Sequence, residues 1–360
     1  MGLCQISKYS GILLYPILLL FALIRNGEWL RDQIAQKAWK SLWAALWALI
    51  KYGTMILVIS LFVINMGFLF DRSGTALGGY QFLSNFFKSL QHFSPVLRKI
   101  PIPLPYPYLE GLDMVMFRER TGGGHGPVYL LGELSTGAGF PGYYLVAFLL
   151  KVPIPVLALL CISLWNWGRS YKKDEFINQD MYLIIPALVY SIYFNLFFKA
   201  QIGIRFLLVV FPILLIFGVR IFRNMDRFSR RSRIFFGATA VYLILSVASY
   251  YPNYLSYFNE FVFDRTFAYR YLADSNLDWG QNSEKAAEFL SQHPDYHFNP
   301  VGPTAGTIVV GVNEFVGILG SHDTFRWLRE NFEPVGNFRH SYLIFEISAS
   351  DLDDIQGDFR

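Results

Sequence analysis

The chain has 360 residues, of which 53% are hydrophobic and only 16% charged, with a formal charge of +4. A soluble chain would carry about 25% charged residues; the deficit lies before Tyr250, so a membrane part and a soluble part are averaged together. The net charge is too small to point to nucleic acid, and Cys4 and Cys161 are too few for a disulfide framework.

In chain order, the first apolar run is Tyr9–Ile24, short for a span, which needs roughly 17 to 25 residues. A basic stretch, 25–40, follows. Trp39, Leu42, Trp43, Leu46, Trp47 and Ile50 then recur at helical spacing. This fits either a helix lying on the membrane surface or the basic foot of one long tilted span that continues through Tyr52–Phe70. Residues 71–142 form a long polar-aromatic connection. Pro101, Pro103, Pro105 and Pro107 predict extended, polyproline-like backbone there and no helix. The segment RERTGGGHGPVY, 118–129, predicts a Gly-rich turn.

Further apolar runs are Tyr143–Trp165, whose first turns are interrupted by Lys151, Pro153 and Pro155, then Met181–Phe198, Phe206–Val219 and Ile234–Tyr250. The expected fold class is mainly α, a polytopic membrane protein with about six transmembrane helices in 1–250 and a small α/β extracytoplasmic tail in 251–360. Orientation follows from charge. Loops 25–40, 168–180 and 220–233 are short and basic, the last with six arginines in fourteen residues, and all three alternate correctly for the cytoplasmic side. The connection 71–142, the link 199–205 and the tail then lie outside. So does the N-terminus, without a signal peptide, which predicts further residues upstream. In the tail, Ser283–Ser291 predicts an amphipathic helix capped by Asn282 or Ser283, and Thr307–Val312 and Tyr342–Ile347 predict strands. Asp323 is expected to cap a helix through Asn331 that buries Phe325, Trp327 and Leu328.

Polar groups at the outer membrane face are the candidates for chemistry. Arg205 heads an apolar run close to Lys199, where a guanidinium can hold a phosphate bidentately or simply anchor the helix at the interface. Lys151 sits inside an apolar run and has the same two readings. His125 and Glu133, in GGGHGPVYLLGELS, could supply acid/base groups or bind a metal on an outer loop, or be turn residues. Asp274, Asn276, Asp278 and Trp279 cluster in DSNLDWGQ. Carboxylates and an indole in that density suit sugar binding, and they equally suit a capped turn that packs the tail. The glycines lack the strand–turn–helix context of a nucleotide fingerprint. His293 and His297 are separated by Pro294 and Asp295, against a metal pair on a helix. No cofactor is expected; a divalent metal stays open as an alternative without support from the sequence.

At YPNYLSYFNE, followed by YRYLADSNLDWGQ, the chain resembles the C-terminal part of bacterial membrane glycosyltransferases of the protein-mannosyltransferase and aminoarabinose-transferase type. GGGHGPVYLLGELS with FPGYYLVAFLLKVPIPVL resembles their outer loop and next helix, and QIGIRFLLVVFPILLIF resembles the arginine-headed helix after it. The resemblance covers nearly the whole chain. It implies the GT-C arrangement of helices in a bacterial plasma membrane, a polyprenyl-phosphate-linked sugar as donor, and work at the outer face. Donor phosphate would then sit at Arg205, Lys199 and Lys151, with acceptor or sugar near His125, Glu133, Asp274, Asn276, Asp278 and Trp279. The family's catalytic acid, in a first outer loop, has no counterpart here, so no catalytic residue is assigned. The expectation is a truncated or split member, with a protein partner supplying N-terminal helices, or a non-catalytic subunit of a larger assembly that keeps the scaffold.

Overall fold

A computed structural model describes residues 1–121 and 126–358. Helices take up 63% of the chain, and a small sheet region accompanies them, in keeping with a mainly α class. In chain order the helices used below are α1 (Leu14–Arg25), α2 (Gly27–Ala35), α3 (Trp39–Gly67), α4 (Asn85–Phe93) and α5 (Tyr106–Thr121). A hairpin of β1 (Val128–Leu130) and β2 (Glu133–Ser135) precedes α6 (Tyr143–Lys151) and α7 (Ile154–Arg169). Then come α8 (Met181–Ile192), α9 (Phe211–Val219), α10 (Arg230–Ala248) and α11 (Ser283–Ser291). The last elements are β3 (His297–Phe298), β4 (Gly306–Gly311), α12 (Arg326–Asn331), β5 (Gly336–Phe338) and β6 (Tyr342–Ile347).

Among the described residues three helical runs are long and apolar enough to cross a membrane: α3, Lys173–Phe197, which contains α8, and α10. Two bent pairs raise the number to five if each is one span. Tyr9–Arg25 and α2 meet at 60°, where Asn26 leaves helical geometry ahead of Gly27. Helices α6 and α7 meet at 113°, because Pro153 and Pro155 lack the N–H groups that would carry α6 onward. The surface-helix reading of 39–50 gives way to the long-helix one: α3 runs unbroken from Trp39 for 29 residues. The expected run Phe206–Val219 is divided. A 3₁₀ turn, Ile204–Val209, leads into the nine residues of α9, with Pro212 in its first turn. Nine residues rise only about 14 Å, less than half of a bilayer core.

Two further expectations are corrected. The proline run does not exclude a helix, since α5 starts at Tyr106 with Pro107 in its first turn, where a missing N–H costs no intrahelical bond. Only 101–105 stays extended, and Ile102 exchanges backbone bonds with Gly74 and Thr75. Arg118–Thr121 belong to α5, residues 122–125 lie outside the described residues, and Gly126 has φ +76°. In the tail, α12 starts at Arg326 with Phe325 at its cap position, so Asp323 does not cap it. Phe325, Trp327 and Leu328 are nonetheless buried.

Contacts divide the chain into two compact units, 1–121 with 171–192, and 122–170 with 193–360. In the first, Leu77, Tyr80, Phe82 and Phe87 form a core with Leu109 of α5. In the second, the sheet has the order β3-β4-β6-β5, with β4 antiparallel to β6 over all six residues and β3 parallel to β4. Helix α11 covers one face through Ala286, packed with Val309 and Tyr342.

Candidate functional site

All the described candidate residues fall in the second unit, where the link 199–205, the start of α6 and the DSNLDWGQ element are interlocked. Gly203 has φ +103°, a conformation that L side chains rarely adopt, and a Cβ there would collide with the Ser275 hydroxyl. That close approach lets Ser275 Oγ donate to the Ile202 carbonyl. Asn276 is 0% exposed and fully engaged. Its Oδ1 accepts from Ile204 N–H at 3.1 Å, and its Nδ2 donates to Tyr143 Oη at 2.9 Å and to the Ala273 carbonyl at 3.1 Å. The Gly203 N–H donates to the same Tyr143 oxygen at 3.1 Å. A buried amide with every group satisfied specifies one arrangement of its neighbours.

This lock places Arg205 at the end of the link. Its guanidinium lies 4.2 Å from the centroid of the Trp279 ring, which is 59% exposed. Among the described hydrogen bonds and ion pairs none involves Arg205, so its N–H groups have no described partner while its charge lies over the indole. Asp274 is nearby. Burial raises its carboxyl above the ordinary range, partly offset by the Ser275 N–H that its Oδ1 accepts and by the Arg205 charge. Asp274 sits at φ +57°, and its own N–H donates to Asn313 Oδ1 at 2.8 Å. The Asn313 amide also holds the Asp278 carbonyl, at 3.2 Å.

Asp278 accepts from Gly280 N–H at 3.2 Å, and burial pushes its carboxyl up. Glu314 is raised for the same reason, with the Asp278 charge adding to it. Tyr342 is pushed up to about 12 by burial and by these two acids. Gln281 and Asn282 both donate to Ser341 Oγ, tying the element to the start of β6.

Lys151, at the end of α6, donates from Nζ to the Leu255 carbonyl at 2.8 Å and to the Asn276 carbonyl at 2.5 Å, with its charge 4.5 Å from the Phe258 ring centroid. Its amine is thus directed at backbone. Lys199 is half-buried two residues before Gln201, whose side chain bonds Phe140 and Phe198 backbone. Glu133 is exposed on β2, and no described hydrogen bond or ion pair links it to the other candidates. His125 lies outside the described residues. Among the described residues no group of three or more His, Cys, Asp or Glu is placed to hold a metal ion.

The residues the sequence reading missed are Tyr143, Gly203, Ser275 and Asn313. Tyr143 opens an apolar run and reads there as an interfacial aromatic. Asn313 follows a strand, and nothing local marks its partner 39 residues away. No family model, no curated protein and no solved structure matches this chain.

Proposed function

We propose that this is a multi-pass membrane protein that holds a polyprenyl-phosphate-linked sugar at its outer face, on a GT-C-like glycosyltransferase scaffold. The observation that carries the reading is the stack of Arg205 on Trp279. It holds beside an exposed ring a guanidinium with no described hydrogen bond or ion pair, and this suits a phosphate. The indole beside it is exposed and suits a sugar ring. Lys199 adds a second cation on the same short link. Three to five apolar helices support the membrane setting, and the basic loops 25–40, 168–180 and 220–233 support a cytoplasmic side opposite the site.

A second reading, a membrane subunit without a reaction of its own, is favoured by the commitment of Asn276, Ser275 and Lys151 to backbone partners. The two readings part on one measurement. The purified chain is mixed with a polyprenyl-phosphate sugar and candidate acceptors, and both donor binding and product are followed. Binding with turnover supports the transferase, binding without turnover supports the subunit, and absence of binding defeats the shared site.

A further inference from the structure

Helix α4, in the first unit, has an apolar side that the protein itself leaves uncovered. Its inner side is tightly held. Phe87 is buried in the aromatic core, and Gln91 Nε2 donates to the carbonyls of Leu77 and Tyr80 at 2.9 and 3.0 Å. Ser84 caps the helix by accepting from the Phe87 N–H. The buried Asp113 carboxylate of α5 accepts from the N–H groups of Leu83 and Ser84. The orientation of the helix is therefore fixed, and the outward stripe is a consequence of it. Phe86, Leu90 and Phe93 recur at i, i+4 and i+7, and Phe93 is 81% exposed. Together with Asn85, Ser89 and Arg120 they line a cleft of about 350 Å³.

Two observations say what covers this stripe. The first is charge. Between Tyr80 and Thr121 the cations are Lys88, Arg98, Lys99, Arg118 and Arg120 and the acids are Glu110, Asp113 and Glu119, and Asp113 is buried on backbone N–H groups. Arg120 stands at the apolar cleft itself. The second is position along the chain. Asn65, in the last turns of α3, donates to the Pro103 carbonyl at 3.1 Å and accepts from Ser73, which latches this small core to the end of the longest apolar helix.

We propose that α4 lies in the headgroup layer of the bilayer where α3 leaves it, with Phe86, Leu90 and Phe93 among the upper acyl chains and an anionic phospholipid phosphate on Arg120. An amphipathic helix of this kind sits about 5–10 Å into the headgroup/acyl boundary, and basic residues on its flanks add attraction to anionic lipid. The proposal rests on the membrane reading of α3 and is independent of the Arg205 site.

The test uses the full chain in lipid nanodiscs, with Cys4→Ser and Cys161→Ser to remove the two exposed native thiols. A single environment-sensitive fluorophore is placed at Phe93→Cys or, on α3, at Val58→Cys; both positions are exposed, so neither change disturbs packing. Nitroxide lipids quench from known depths, and iodide quenches from water. The expected result is acyl-chain quenching at Val58 and headgroup-level quenching at Phe93. The Phe93 signal grows when phosphatidylglycerol is added to phosphatidylcholine, and that growth is lost in an Arg98→Gln, Lys99→Gln, Arg120→Gln variant. Iodide quenching at Phe93 with Val58 still quenched by lipid overturns the proposal alone. Shielding of Phe93 from both quenchers overturns it in favour of a protein cover. Loss of lipid quenching at Val58 overturns the membrane reading beneath it.

Discussion

Replacing Arg205 by alanine removes the guanidinium fork and leaves Trp279 without its cation. Charge-assisted bonds from such a fork to a phosphate contribute about 1.5–3 kcal/mol. The stack on Trp279 is worth about 0.5–1 kcal/mol, because the ring is 59% exposed and water competes for the cation. The stack is present before any ligand arrives, so it orients the fork and does not add to the binding difference. Only the first figure enters the affinity. At roughly 1.4 kcal/mol per decade, Arg205→Ala weakens binding of a polyprenyl phosphate about ten- to a hundredfold. Trp279→Leu keeps the charge and the fork and loses only the platform that orients it, so it weakens binding less than Arg205→Ala does. Arg205→Lys recovers part of the loss, since an ammonium is a point charge without the planar edge. Calorimetric titration with a short-chain polyprenyl phosphate in detergent, at matched folded fraction, reads all three. Equal affinities for the native protein and Arg205→Ala would refute the phosphate site; full activity of lysine in binding would refute the role given to the fork and leave only interfacial anchoring.

Asn276→Ala leaves the Ile204 N–H, the Tyr143 hydroxyl and the Ala273 carbonyl without their partner, and stability is expected to fall by on the order of 2–4 kcal/mol; a thermal midpoint equal to the native one would contradict the lock described for it. The topology reading expects cysteines at Ser229 and Ser291, in a background without native thiols, to label from opposite sides of sealed vesicles, and labelling from one side sinks it. Asp278 and Glu314 have carboxyls raised by burial in the folded state. The folded state then binds more protons than the unfolded one between the ordinary carboxylate range and the raised values, so stability is highest below that window and declines as pH rises through it. Asp278→Asn with Glu314→Gln should flatten this decline, and an unchanged pH profile of the unfolding midpoint would show that these two carboxyls do not cause it.

Elements whose periodicity is contained within themselves were legible in the sequence. Ser283–Ser291 and Tyr342–Ile347 form where the residues predict, because their apolar positions and flanking turn residues are local. The strands His297–Phe298 and Gly336–Phe338 are too short to show a period, and pairing with β4 and β6 alone defines them. The proline run misled because position matters more than composition: Pro107 and Pro155 each enter a helix at its first turn, while Pro153 stands at the break between α6 and α7. At the candidate site, Arg205 and the DSNLDWGQ cluster were visible as unusual residues near an apolar boundary. Their arrangement was not. Which of those polar groups face inward depends on Tyr143 and Asn313, whose partners lie far away along the chain.

The Asn276 lock also has a consequence in time. Its partner Tyr143 lies 133 residues earlier. At elongation rates of about 5–20 residues per second, Tyr143 waits on the order of 7 to 27 s after its own synthesis before Asn276 exists. Until then the hydroxyl at the head of α6 and the N–H of Ile204 lack the amide that satisfies them. The region around the link 199–205 thus closes only after α10 has been made, and its assembly depends on the segment that follows α10. Ribosome-stalled chains ending before Asn276 should leave this region open to protease, and chains extended well past Gln281 should protect it.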